Sequence, residues 1–222
     1  MKKEPKVTLL LGGCGHRDGS EIQEAVFAML AMSQHGIAFQ AYAPDSNQAA
    51  VLDHLTGEPA TYSRNILKES ARIARGEILP ISEWDASNST GLVIPGGSGI
   101  AANFCDFASA QSEMQVDPKV AEIIRLTHQA KKPQVAICIA PVITARVLSD
   151  AGVTVTLGHH EGIASIVEGW GAKHQLCDKG DCVVDKANLV VTTPAYMHGD
   201  STVAEVYAGI SKAIGKVLLE SP

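Results

Sequence analysis

Short apolar runs of strand length alternate with amphipathic segments of helix length along nearly the whole chain. This cadence restricts the fold more than any other feature. Residues 7–11, 37–43, 90–94, 135–137, 153–157, 182–184 and 189–193 read as strands. Helices are expected from about Ser20 to the stop at Gly36, over 64–75, from Asp117-Pro118, from Pro141, near 163–167 and over 202–219. Such alternation implies a mostly parallel sheet with helices on both faces, an α/β fold. No repeat, linker or low-complexity tract interrupts it, so residues 1–222 read as a single domain.

Within this frame the segment Val135-Ala136-Ile137-Cys138-Ile139-Ala140-Pro141 stands out. An apolar strand runs into a cysteine, and a proline-started helix follows at once. Sharp strand-to-helix turns of this kind lift a nucleophile clear of a parallel sheet and aim backbone N–H groups at it. A thiol held there is expected to favour its thiolate. The plain alternative is a small buried hydrophobe, the usual state of a free cysteine. In open α/β sheets ligands sit beyond the carboxyl ends of the strands, near the topological switch point. The loop after the first strand, the Pro95-Gly96-Gly97 loop and the Cys138 turn are therefore expected to converge.

The charge balance of −6, with no block of lysine or arginine, argues against nucleic acid and anionic membrane surfaces as partners. Five scattered cysteines, Cys14, Cys105, Cys138, Cys177 and Cys182, read as reduced thiols and not as a disulfide framework. The charged start lacks the apolar core of a secretory signal, and no run approaches the roughly 20 apolar residues needed to span a bilayer. The expected compartment is the cytoplasm. Cys177 and Cys182, and His159-His160-Glu161, lack further ligands at metal-site spacing, so no metal is expected.

In the first helix Ile22, Ala25, Val26, Met29, Leu30 and Ser33 step at three and four residues, with Ser20 and Gln23 placed as a capping box. Glu24 falls at the edge of this stripe and reads, on periodicity alone, as a solvated carboxylate.

Those three loops, together with residues 191–197, carry a further signature. Gly12-Gly13-Cys14-Gly15 with 18–25, Pro95-Gly96-Gly97, Ile137-Cys138-Ile139-Ala140-Pro141 and 191–197 resemble the ThiJ/PfpI superfamily, the glyoxalase III-like branch of the class-I glutamine amidotransferase-like fold. His54-Leu55-Thr56-Gly57-Glu58 and residues 64–76 resemble the insert of its ElbB-like family. The resemblance covers about 6–219 and implies a flavodoxin-like three-layer sandwich, a homodimer, and no cofactor. It also implies a cysteine on the turn, Cys138, with a glutamate of the first helix, Glu24, beside it. Burial of that glutamate would raise its pKa and suit it to proton transfer near neutrality. The same resemblance implies that the backbone N–H groups of Gly97 and Ile139 serve as an oxyanion hole, a role compatible with the tight turn that Gly96-Gly97 also allows.

Other positions are pocket candidates. Cys14 is a resolving thiol, a substrate contact or a small buried residue. His16 is a base or a polar wall, where the family carries a hydrophobic residue. His198, with Asp200, is an imperfect stand-in for the histidine–glutamate pair of glutamine amidotransferases. The sequence departs from peptidase relatives at Ile139, which replaces the histidine that would accept the thiol proton. Ser98 and Arg17 stand where the family has aromatic residues.

The resulting expectation is a weak, glutathione-independent glyoxalase III-like lyase acting on a small aldehyde, methylglyoxal or glyoxal, through a hemithioacetal on Cys138. The alternatives are a redox- or electrophile-sensing or partner-binding protein that uses the same thiol, and an amidotransferase subunit. Bacterial members of the family are linked by name to isoprenoid biosynthesis.

Overall fold

The computed structural model describes residues 4–218. The first three residues, part of the charged start, and Leu219 of the expected last helix lie outside the described residues.

The elements alternate as the pattern requires: β1 (Lys6–Leu10), α1 (Ile22–Gln34), β2 (Phe39–Ala43), α2 (Ile66–Ile73), β3 (Ile78–Pro80), β4 (Ser89–Ile94), α3 (Ile100–Asn103) and α4 (Phe107–Ala110). Then follow α5 (Pro118–Gln129), β5 (Gln134–Ile137), α6 (Ala140–Val147), β6 (Thr154–Val155), α7 (Glu161–Gly169), β7 (Lys173–His174), β8 (Val183–Asp185), β9 (Val190–Thr193) and α8 (Val203–Leu218). Seven strands form one sheet in the order β3-β2-β1-β4-β5-β9-β8. All neighbours are parallel except β8 on β9. The strand order reverses direction at β1, between β2 and β4, which places the switch point between the first loop and the Pro95-Gly96-Gly97 loop.

Alternation along β1 splits the core into its two faces. Val7 and Leu9, with Leu11 just beyond the strand, join the cluster under α1 and α8, whereas Leu10 joins the cluster under α5, α6 and α7. The result is an α/β three-layer sandwich. Asp117 caps α5 as its sequence position demands, accepting from Lys119 N and Val120 N, with Pro118 in the first turn. Among the described residues no helix is long and apolar enough to cross a membrane.

Two expectations fail locally. The strand expected over 153–157 shrinks to β6, which leaves the main sheet and pairs with β7. Gly158, at φ 63°, ends that segment. The expected capping box does not form: Ser20 Oγ accepts from Gly12 N at 2.9 Å, and Glu21 is the N-cap, accepting from Glu24 N at 2.6 Å.

Candidate active site

Cys138 occupies the left-handed region, φ 61°, where β5 turns into α6. A side chain costs on the order of 1–2 kcal/mol there. The turn is pinned by Cys138 N–H donating to Thr193 O at 2.9 Å, at the end of β9. The backbone N–H groups of Gly97 and Ile139 both face the sulfur. Gly97 has φ 107°, and a methyl group on it would lie 2.6 Å from Glu21 N, so the loop after β4 and the start of α1 require glycine there.

Glu24, in the first turn of α1, has no exposed surface. Its Oε2 accepts from Gly96 N at 2.8 Å, while the buried Oε1 has no hydrogen-bond partner. The Cys138 thiol and the backbone N–H of Tyr196 face the same carboxyl group. A methyl on Gly96 would lie 2.5 Å from Cys138 Cβ and 2.7 Å from Glu24 Oε2, so thiol and carboxyl flank a point that only glycine leaves open.

Burial, reinforced by the charge of Glu21, pushes the Glu24 carboxyl up to about 8, against the opposing N–H groups of Gly96 and Tyr196 and the thiol. The Cys138 thiol is held well above its ordinary value, by burial first and then by the Glu24 charge, which outweigh the Gly97 and Ile139 donors. This reverses the thiolate expected from the turn and the helix start. At neutral pH the pair is a carboxylic acid and a thiol, and the first proton lost belongs to both groups.

The solvated reading of Glu24 is corrected as well. α1 buries Glu24, Ala25, Ala28, Ala31 and Met32, and turns Ile22, Val26 and Leu30 outward at 45%, 41% and 43% exposure. The three alanines let the helix lie close to the sheet and carry Glu24 inward with them. That row of small residues was the available signal, and the larger apolar side chains masked it.

The pocket candidates separate. Cys14 is half-buried against the core cluster that includes Cys138, and burial followed by the Glu69 charge pushes its thiol up. His16 is exposed, edge-on to His54 at 5.1 Å between ring centroids, and burial and His54 lower its pKa. The insert reaches this loop through buried Asp18, whose Oδ2 accepts from Leu52 N at 2.9 Å. His198 donates from Nε2 to Cys177 O at 2.9 Å and packs edge-on against His159, while Asp200 pairs with Lys179. The two thus engage separate partners and form no dyad. His159 pairs with Asp178 at 3.1 Å and His160 caps α7, accepting from Ile163 N at 3.3 Å. Among the described residues no cluster of three ligating side chains is placed to hold a metal ion. Gly96, read from sequence only as part of a tight turn, belongs to the site through its N–H and the space it leaves, and Glu21 and Tyr196 belong to it without having been given a role from sequence.

No family model matches the chain. It is 40% identical over 223 residues to the human glutamine amidotransferase-like class 1 domain-containing protein 3, mitochondrial, covering 96% of this chain and 82% of that protein. Among solved structures, an isoprenoid biosynthesis protein with amidotransferase-like domain from Ehrlichia chaffeensis superposes with a TM-score of 0.91 at 36% identity, over 97% of this chain and 98% of that one. A ThiJ/PfpI domain protein from Brachyspira murdochii, at 15% identity and a TM-score of 0.59 over 99% of each chain, shares the fold.

Proposed function

The chain belongs to the class-I glutamine amidotransferase-like proteins, and from that premise we propose that it is a cofactor-independent glyoxalase III-like enzyme of the ElbB-like branch, converting a 2-oxoaldehyde to a 2-hydroxy acid. The observation that carries the reading is the buried Glu24 carboxyl beside the Cys138 thiol, with Oε1 unpartnered. A buried polar oxygen without a partner is costly, and a substrate carbonyl or hydroxyl placed there would complete it, whichever way the carboxyl is protonated. The insert motifs from His54 and from Arg64 support the ElbB-like assignment.

In this mechanism the Glu24 carboxylate takes the proton of the Cys138 thiol as sulfur bonds to the aldehyde carbon. The proton passes to the carbonyl oxygen and a hemithioacetal forms. The Gly97 and Ile139 N–H groups hold that oxygen while charge develops on it, a contribution of about 3 kcal/mol per donor. Glu24 next removes the hydrogen of that carbon as a proton, giving an enediolate; the hydroxyl proton of the first carbon moves to the oxygen of the second, and Glu24 returns its own proton to the second carbon. The first carbon is thereby oxidised to a thioester and the second reduced to an alcohol, without an outside redox partner. Water cleaves the thioester and restores the thiol, so methylglyoxal plus water gives lactate. Lactate formation without glutathione, lost in Cys138→Ser and Glu24→Gln, tests the proposal.

The active form is proposed to be a homodimer. The outward Ile22, Val26 and Leu30, spaced four apart along α1, give a self-complementary apolar strip that a second copy can cover about a two-fold axis. The free state of all five cysteines suits a reducing compartment. We propose the cytoplasm, whereas the human relative is mitochondrial by name. The isoprenoid association enters from the name of the Ehrlichia chaffeensis protein, and no residue of the site speaks for it.

A further inference from the structure

Tyr196 touches the site in two ways. Its backbone N–H faces the Glu24 carboxyl, and its phenol O–H donates to Oε1 of Gln23, the residue beside Glu24 on α1 and 173 positions away in sequence. The turn that carries it is unusual. Ala195 lies in the left-handed region, φ 45°, two residues beyond β9, whose last residue Thr193 also anchors the Cys138 turn. Such a conformation persists in a residue other than glycine only when its surroundings hold it. Here Ser201 Oγ donates to Ala195 O at 3.0 Å, Met197 N donates to Pro194 O at 2.8 Å, and the Tyr196 ring packs on the core cluster of Cys138.

We infer that Tyr196 is a positioning residue of the Cys138–Glu24 pair: its phenol, bonded to Gln23, fastens the 194–197 turn to α1 and so holds the Tyr196 N–H against the Glu24 carboxyl. The inference rests on the reading of Cys138 and Glu24 as a working pair, not on the identity of their substrate. The groups facing Glu24 are Glu21 from the cap of α1, the Cys138 thiol, the Gly96 N–H and the Tyr196 N–H. Of these the Tyr196 donor is the one supplied by a turn that a side-chain latch secures. A donor favours the ionised carboxylate, so slackening it moves ionisation of the pair to higher pH.

The test is the pH profile of Cys138 alkylation by iodoacetamide, read by mass spectrometry at that cysteine, in wild type, Tyr196→Phe, Gln23→Ala and the double variant. Each single change is expected to move the rise in rate upward by about half a pH unit, roughly a threefold loss of rate on the rising limb. The double variant is expected to match the singles, because both break one bond. Tyr207→Phe is the control, since it breaks a similar tyrosine–glutamine bond, from Tyr207 of α8 to Gln34 of α1, away from the 194–197 turn, and its profile is expected to be that of wild type. Wild-type profiles in both singles, additive shifts in the double, or an equal shift in Tyr207→Phe would each overturn the inference. Alkylation needs no aldehyde turnover, so a chain inactive on methylglyoxal still decides the role of Tyr196.

Discussion

The carboxyl of Glu24 and the thiol of Cys138 meet across the space that Gly96 leaves empty, and Gly96 supplies the N–H that holds the carboxyl at 2.8 Å. One backbone position therefore sets both the distance and the orientation of the pair. Its glycine is required by close approach, since its φ lies outside the left-handed region.

Gly96→Ala should consequently disable the pair. Its methyl would press on Cys138 Cβ, Glu24 Oε2 and Ile137 O together, two of them side-chain atoms of the site and the third rigid backbone. Overpacking of this kind costs about 1–3 kcal/mol, and the displaced thiol should lose at least about tenfold in alkylation rate. Urea denaturation and Cys138 alkylation measure the two effects, and unchanged alkylation would mean that the pair tolerates separation.

Glu24 also makes stability depend on pH with a definite sign. Its folded value of about 8 lies above the ordinary 4.5, so the folded chain holds this proton more tightly than the unfolded one. The contribution is full below about 4.5 and is lost as pH rises through about 8. Glu24→Gln removes that loss and should be more stable than wild type at pH 8.5 by roughly 4–5 kcal/mol, converging with it near pH 4.5. Thermal melts across this range check it, and parallel curves would contradict the buried carboxyl.

The outward strip of α1 makes a prediction about assembly. Val26→Glu places a charge at the centre of the Ile22–Val26–Leu30 strip, where burial against a second copy would desolvate it. Light scattering should give the mass of two chains for wild type and of one chain for the variant. A single-chain mass for both would remove the homodimer from the account.

Much of this architecture is legible in the chain itself. The apolar runs and their proline, glycine and Asp117 punctuation give the parallel sheet and the position of Cys138, because strand burial and helix caps are local properties. Glu24 is different. Its inward direction depends on which face of α1 meets the sheet, and the larger residues Ile22, Val26 and Leu30 point periodicity the wrong way. The protonation of the pair is likewise invisible, since it arises from burial created by distant segments and reverses the local preference of the turn. The Tyr196–Gln23 bond joins the two ends of the chain, and no local pattern announces it.

The most direct test is lactate formation from methylglyoxal, without glutathione, by wild type, Cys138→Ser and Glu24→Gln across pH 6 to 9. Wild-type turnover should rise with pH to a plateau above about 8, as the Glu24 carboxylate becomes available to accept the thiol proton. Neither folded variant should turn over. Wild-type turnover that persists in Glu24→Gln, or no turnover in wild type at any pH, would contradict the claim that this thiol–carboxyl pair is a glyoxalase site.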